Sequence, residues 1–221
     1  MGKDKLKRFA ENETFPNMFH YTWHEPITDF KHKGQWKSFF GNENPIVLEL
    51  GCGRGEYTVG LSKRYPEKNF IGIDIKGARM WRGCKTTNEE GIKNTAFVRT
   101  KIQLIENVFA KDEVDEIWIT FPDPQPKERK ERKRLTSPPF LDKYRKLLKT
   151  DGLVHLKTDN TGLYEYTLEV IENQKLPLLE NSSDVYSDLG LNAITEIQTF
   201  YEAMFAAKGE KIKYILFKLT P

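Results

Sequence analysis

Three glycines at alternate positions, Gly51, Gly53 and Gly55, follow a short apolar run, Ile46–Leu50, and precede a helical stretch that ends near Tyr65. Glycine is needed where a backbone turns sharply and lets a ligand come within contact distance. One acid, Glu49, stands inside the end of the run, and a second, Asp74, lies at the end of the next apolar segment, Asn69–Ile75. A carboxylate at such a strand end can accept from both hydroxyls of a ribose, as it does in dinucleotide sites. As a turn or helix-cap residue it would need no ligand. The dinucleotide fingerprint is G-x-G-x-x-G. Here the third glycine comes one residue early, which disfavours a nicotinamide-dependent oxidoreductase.

Farther along, Phe121-Pro122-Asp123-Pro124 closes a third apolar run, Glu116–Phe121. Two prolines around an acid stop a strand and fix the backbone. The result is either a rigid exit turn or a pre-organised carboxylate. Six of the eight residues from Lys127 to Arg134 are Lys or Arg, interrupted only by Glu128 and Glu131. A mixed-charge run is commonly a solvated helix face held by i,i+3 or i,i+4 pairs. Behind a pre-organised acid it reads instead as a phosphate-binding stretch, because clustered cations release counterions from a polyanion. Asp159, in Lys157-Thr158-Asp159-Asn160, follows another strand-like run, where Asp or Asn could equally cap a helix. Thr199-Phe200-Tyr201-Glu202 falls in a helical stretch near Ile194–Ala207, and its Phe and Tyr read as core by composition. A weaker basic group lies at Lys3, Lys5, Lys7 and Arg8.

The four histidines, His20, His24, His32 and His155, and the two cysteines, Cys52 and Cys84, show no metal-ligand spacing. No metal is assigned. Two cysteines build no disulfide framework and fit a reducing, cytoplasmic setting. The basic N-terminus has no apolar segment behind it, so a secretory signal is not expected. Leu6 stands where a myristoylation site needs Ser or Thr. No stretch approaches the eighteen apolar residues of a membrane span. With 221 residues, 38% hydrophobic and 12% aromatic, the chain is long enough to bury a core without staples.

The elements that must position these groups alternate. Strands are expected at Ile46–Leu50, Asn69–Ile75, Ala96–Arg99, Glu116–Phe121, Leu153–Lys157 and Lys211–Leu219. Helices are expected to Tyr65, over Ala78 to Glu90, Ile102–Ala110, Pro139–Lys149 and Leu163–Asn173. Residues 1–44 read as an N-terminal arm, and 45–221 as the main domain. Such alternation predicts a doubly wound, mostly parallel α/β sheet, in which ligands bind beyond the carboxyl ends of the strands. The glycine turn, Asp74, FPDP and TDN all fall on that edge.

Taken together, LELGCGRGEY, GIDIKGAR, FPDP with its basic run, LKTDN and the Thr199–Glu202 segment resemble the bacterial tRNA (guanine-N7-)-methyltransferase family from Pro45 onward. The resemblance implies a Rossmann-like class I methyltransferase fold, a seven-stranded sheet with an antiparallel last strand. It also implies S-adenosyl-L-methionine as methyl donor, tRNA as partner, and methyl transfer to guanine N7, in the variable loop. Carried over by position, Glu49, Gly51, Gly53, Asp74 and Asp123 bind the cofactor, and Asp123 sits at the reaction centre. Lys127, Asp159, Thr199 and Glu202 bind substrate. The chain departs from the family at Gln125, where Trp is usual, at Lys130, where His is usual, and at Lys101, which occupies the place of a third cofactor-binding acid. The competing readings are a class I methyltransferase for another RNA or a small molecule, and a non-catalytic tRNA-binding module. The basic run disfavours a small-molecule substrate, and an intact glycine turn together with FPDP disfavours the module.

Overall fold

The apolar runs form strands whose residues are almost all buried, as expected of a parallel sheet covered on both faces. The computed structural model describes residues 3–21, 28–190 and 192–220; Trp23, His24 and Pro26 lie outside them. The chain divides into two units, Met1–Ala110 and Lys111–Pro221.

The first unit runs α1 (Lys3–Asn12), β1 (Met18–His20), α2 (Trp36–Phe40), β2 (Ile46–Leu50), α3 (Glu56–Arg64), β3 (Asn69–Asp74), α4 (Gly77–Glu89), β4 (Thr95–Arg99) and the single turn α5 (Ile105–Val108). Its strands pair in the order β1-β4-β3-β2, all parallel. All five residues of β2 are buried. In α4, Gly77, Met80, Gly83, Cys84 and Thr87 are buried, which is one face of a helix. Gly83 is required there, because a Cβ would sit 2.7 Å from the Arg54 carbonyl oxygen and 3.1 Å from the Gly55 Cα.

The residues ahead of Pro45 add elements that the sequence pattern did not disclose. β1 is a three-residue strand against β4. Asn17, just before it, donates to the Thr95 carbonyl (3.2 Å) and Thr87 Oγ1 (3.0 Å) and accepts from Asn88 Nδ2 (2.7 Å). The Asn12 amide donates to the Gly77 carbonyl at the start of α4 (2.9 Å). The Arg8 guanidinium lies 4.8 Å from the Trp81 ring centroid. Trp36 is fully buried, stacked against Phe30 and Phe109, and donates from Nε1 to the Val108 carbonyl (3.1 Å).

The second unit runs β5 (Val114–Thr120), α6 (Pro138–Arg145), β6 (Leu148–Thr158), α7 (Thr161–Asn173), β7 (Leu178–Ser182), the single turns α8 (Val185–Asp188) and α9 (Ala193–Glu196), α10 (Phe200–Ala206) and β8 (Lys213–Lys218). β5 and β6 are parallel, whereas β8 runs antiparallel to β6 and β7 antiparallel to β8. The last strand is therefore antiparallel, as expected. Helix α6 ends at Arg145, earlier than the pattern implied, because β6 begins at Leu148 and reaches its main register through an irregularity opposite Val114–Glu116. The expected helix over Ile194–Ala207 is two, because Asn192 and Thr199 each form a capping box that starts a new one. β7, which was not anticipated, is mostly exposed and carries no apolar alternation.

Truncating Trp36 tests whether the segment before Pro45 belongs to the folded core. Trp36→Ala should destabilise the protein by roughly 3–5 kcal/mol in urea unfolding, and a loss well under 1 kcal/mol would show that the aromatic cluster holds nothing.

Candidate active site

In the first unit, the turn after β2 exists because Gly51, Gly53 and Gly55 take φ values of +77°, +55° and +74°, a region other residues enter only at a cost. The Gly51 and Cys52 amides both donate to the Ile73 carbonyl (2.8 and 3.0 Å), which ties the turn to β3. A Cβ at Gly51 would meet nothing within 4 Å, and one at Gly53 only the Gly51 carbonyl at 3.9 Å. The outer face of the turn is open, whereas at Gly55 a Cβ would run into Phe97 at 2.7 Å. Two glycines thus keep a surface clear, and the third lets α3 and α4 approach.

Asp74, at the end of β3, accepts from the Gly53 amide at Oδ2 (2.9 Å) and from the Lys76 amide at Oδ1 (2.8 Å). Each oxygen spends one lone pair on the backbone, and the second remains chemically able to accept from a hydroxyl. Glu49 is buried, and its Oε2 accepts from the Thr58 amide (2.8 Å) and hydroxyl (2.6 Å). Thr58 is in the first turn of α3, where a carboxylate also meets the positive end of the helix dipole. Glu49 therefore braces the turn from beneath. Burial, reinforced by the Glu49 and Asp74 charges, pushes the Cys52 thiol well up, so it stays protonated. Lys101 lies just past β4, with its carbonyl accepting from the Leu104 amide (2.9 Å). An open glycine surface flanked by a carboxylate with accepting capacity suits an adenosyl cofactor that carries no phosphate.

In the second unit, β5 leads into the FPDP turn. The Phe121 amide still donates to the Lys157 carbonyl (2.8 Å) before the prolines end the ladder. Phe121 and Gln125 then take φ of +47° and +45°, conformations that cost of order 1–3 kcal/mol each. Between them Asp123 is exposed, and its Oδ1 accepts from the Gln125 amide (3.0 Å). The turn is thus rigid and also presents a carboxylate to solvent.

The run after it forms a 3-10 helix, Glu128–Lys133, with every residue exposed, and Lys127 just before it is exposed too. No ion pair within the run occurs among the described residues, so the solvated-face reading lacks its expected pairs. Asn160, rather than Asp159, caps α7, accepting from the Leu163 amide (2.8 Å). Asp159 is thereby relieved of that structural duty. Burial raises its carboxyl above the ordinary aspartate range, partly opposed by its own backbone and by Lys213, whose ammonium donates to the Asp159 carbonyl (2.9 Å).

Thr199 and Glu202 form the capping box of α10: the Glu202 amide donates to Thr199 Oγ1 (3.0 Å), and Glu202 Oε2 accepts from the Thr199 amide (3.4 Å). Glu202 is 0% exposed, and its Oε1 is 2.6 Å from the Lys157 ammonium, also 0% exposed. Tyr186 donates to the same carboxylate oxygen (2.6 Å), and Lys157 donates to the Ile194 carbonyl as well. Burial lowers the Lys157 pKa, opposed by Glu202. The Lys157 ammonium lies 5.9 Å from the Phe121 ring centroid, at the entrance to the FPDP turn, and Phe121 stacks on Phe205 of α10. Phe200, expected in the core from composition, is 49% exposed at the start of α10. Lys157 is the residue that sequence reasoning missed, because a lysine inside an apolar run gives no hint of its distant partner.

Among the described residues, no helix is long and apolar enough to cross a membrane and no group of three or more His, Cys, Asp or Glu could hold a metal ion. Solved structures that the chain resembles include the 16S rRNA methyltransferase KamB, with a TM-score of 0.66, 11% identity and 89% and 97% of the two chains covered. The 30S ribosomal A1408 methyltransferase of an uncultured bacterium gives a TM-score of 0.59 at 16% identity, over 88% and 96%. These establish the class I methyltransferase fold. A family model described as "Putative methyltransferase" matches residues 43–215. The tRNA (guanine-N(7)-)-methyltransferase of Christiangramia forsetii is 52% identical over 99% of both chains. That of Bacteroides thetaiotaomicron is 50% identical over 99% of this chain and 87% of its own. With half its residues shared along its whole length, the chain belongs to the tRNA (guanine-N(7)-)-methyltransferase family.

Proposed function

We propose that the chain transfers a methyl group to N7 of a guanine in the variable loop of tRNA, acting in the cytoplasm. S-adenosylmethionine is its cofactor and supplies an electrophilic methyl on a sulfonium. Gly51 and Gly53 give the cofactor an open backbone surface, Asp74 accepts from its ribose, and Glu49 holds the turn in shape. The observation that carries the reading is the FPDP turn, an exposed carboxylate fixed by strained backbone next to a run of exposed cations.

Guanine N7 has an in-plane lone pair and no proton, so no general base is needed. The protein's work is to align donor and acceptor in line and to stabilise the positive charge that develops on the purine. Asp123 does both by accepting from the guanine N1–H and N2–H₂ edge, and Asp159 serves as a second acceptor. Adenine has no such pair of donors, which sets base choice. Lys127 and the exposed cations Arg129, Lys130, Arg132 and Lys133 hold tRNA phosphates, giving affinity without reading sequence. Thr199 and Glu202 serve the substrate indirectly, by fixing the start of α10 where Phe200 is exposed.

Incubating the protein with labelled S-adenosylmethionine and unmodified tRNA should yield 7-methylguanosine on nucleoside analysis. Label on any other atom, or on protein alone, would sink this reading. In single turnover, Asp123→Asn should lose far more rate than tRNA affinity, because it turns one acceptor into a donor facing a donor. Inosine at the target keeps N7 and N1–H but lacks the 2-amino group, and should react about five- to 150-fold more slowly, equivalent to roughly 1–3 kcal/mol. Equal rates on guanosine and inosine with an active Asp123→Asn variant would leave Asp123 a turn residue only.

Neutralising Arg129, Arg132 and Lys133 together should weaken tRNA binding and flatten its salt dependence by about one unit of slope per lost contact, with cofactor binding unchanged. An unaltered slope would make the run a solvated surface. For the buried pair, Glu202→Ala should cost roughly 3–5 kcal/mol, because it strands the Lys157 charge. The apolar double variant Lys157→Met with Glu202→Leu should recover most of that loss. Chemical denaturation of the three proteins decides it, and a single variant as stable as the wild type would mean the pair is not holding α10.

A further inference from the structure

We propose that Arg134 and Tyr166 form a latch that positions the basic run against the FPDP turn, and that Arg134, unlike the other cations of the run, does not bind phosphate. The inference rests on the reading above, in which the run holds tRNA and Asp123 meets the guanine. Tyr166 lies on α7, one face of which is buried through Leu163, Tyr166, Thr167, Val170 and Ile171. The Arg134 guanidinium lies 4.2 Å from the Tyr166 ring centroid, and its Nε donates to the Gln125 carbonyl (3.4 Å). Gln125 in turn gives its amide to Asp123 Oδ1. The Tyr166 hydroxyl donates to Glu131 Oε1 (3.0 Å). Burial, then Glu131, raises the pKa of that hydroxyl, so it remains a donor. Alongside, the Thr136 and Thr167 hydroxyls are 2.8 Å apart, a second tie between the run's end and the helix.

The consequence is a division of labour within one short stretch. Arg134 is half-buried and committed to a ring and a carbonyl, and Glu131 turns its carboxylate to Tyr166. Arg129, Lys130, Arg132 and Lys133 stay exposed. The latch withdraws one negative charge from the phosphate-facing side and ties the run to the residue that orients the Asp123 carboxylate. A flat guanidinium can stack on a ring and donate along its plane at once, which an ammonium cannot do. Arg134 and Tyr166 are therefore positioning residues, acting through the FPDP turn.

Arg134→Lys, Arg134→Gln and Tyr166→Leu are compared with the wild type for the salt slope of tRNA binding, the single-turnover rate at saturating tRNA and amide exchange across residues 128–134. A latch predicts an unchanged salt slope in all three, a rate at least tenfold lower, and faster exchange in the run. Arg134→Lys should be as slow as Arg134→Gln, because charge alone does not restore the stack. The double variant Arg134→Lys with Tyr166→Leu should be little slower than either single, as expected of partners in one contact. A slope lowered by about one unit in Arg134→Gln and restored in Arg134→Lys would make Arg134 an ordinary phosphate contact and overturn the proposal. So would wild-type rate and exchange in Tyr166→Leu. If the wild type makes no 7-methylguanosine, the functional reading fails, while the exchange comparison still decides whether the latch exists.

Discussion

A lysine ammonium and a carboxylate removed from water are each costly alone and tolerable only together, with their remaining hydrogen-bonding positions filled. Lys157 and Glu202 meet that condition: the ammonium also reaches the Ile194 carbonyl, and the carboxylate also takes the Tyr186 hydroxyl and the Thr199 amide. Because neither charge can move without stranding the other, the end of β6, the start of α10 and the turn before α10 are fixed at one point. Lys157 is two residues before Asp159 and lends its carbonyl to Phe121, so the same point fixes where β5 gives way to the FPDP turn. Replacing such a pair with apolar residues of similar volume is often neutral for stability. What the pair adds here is a single location, since an ion pair with three further partners has far fewer acceptable arrangements than a patch of methyl groups.

The acids around the glycine turn show the same logic at a lower cost. Glu49 and Asp74 both spend oxygen lone pairs on backbone amides, one at the start of α3 and the other within the turn itself. A turn made of three left-handed glycines has few intrinsic preferences and would lose much entropy on ordering. Asp74, accepting from the Gly53 amide, and Glu49, accepting from Thr58 at the start of α3, order it before any ligand arrives. The same residue can then be both brace and binder, because an oxygen that accepts one backbone N–H has not exhausted its capacity.

How much of this was legible in the sequence follows from the range of each interaction. The strands of the two halves could be read because buried parallel strands are continuous apolar runs, and the glycine turn, FPDP and the basic run are contiguous strings. β7 was invisible because Leu178–Ser182 pairs at an edge with little buried side-chain surface to pattern it. β1 was invisible because three residues carry no period, and its place depends on Asn17 reaching Thr87 and Thr95, some seventy positions away. Asp159 and Asn160 were equally good caps on paper, and only the hydrogen bond from Leu163 separates them. The Thr199–Glu202 string resembles a substrate-binding segment, yet its threonine and glutamate are buried. The string marks a capping box closed by a lysine forty-odd residues upstream, and no local pattern contains that partner.

The placement of Asp123 is the counterpart of these buried acids. Glu49 is buried, and Asp74 and Asp159 are partly buried. Asp123 is exposed and holds only the amide two residues on. In water an exposed carboxylate stabilises a nearby cation weakly, because the effective dielectric is high. Its contribution grows when a bound substrate covers it and excludes water. An acid presented on a strained, proline-locked turn costs nothing to reorient when that happens. In the proposed reading, recognition of the guanine and stabilisation of the charge that develops on it become one event, triggered by docking. In that reading the phosphate contacts of the basic run carry no sequence information and need none: they bring down the cover under which a single carboxylate can discriminate.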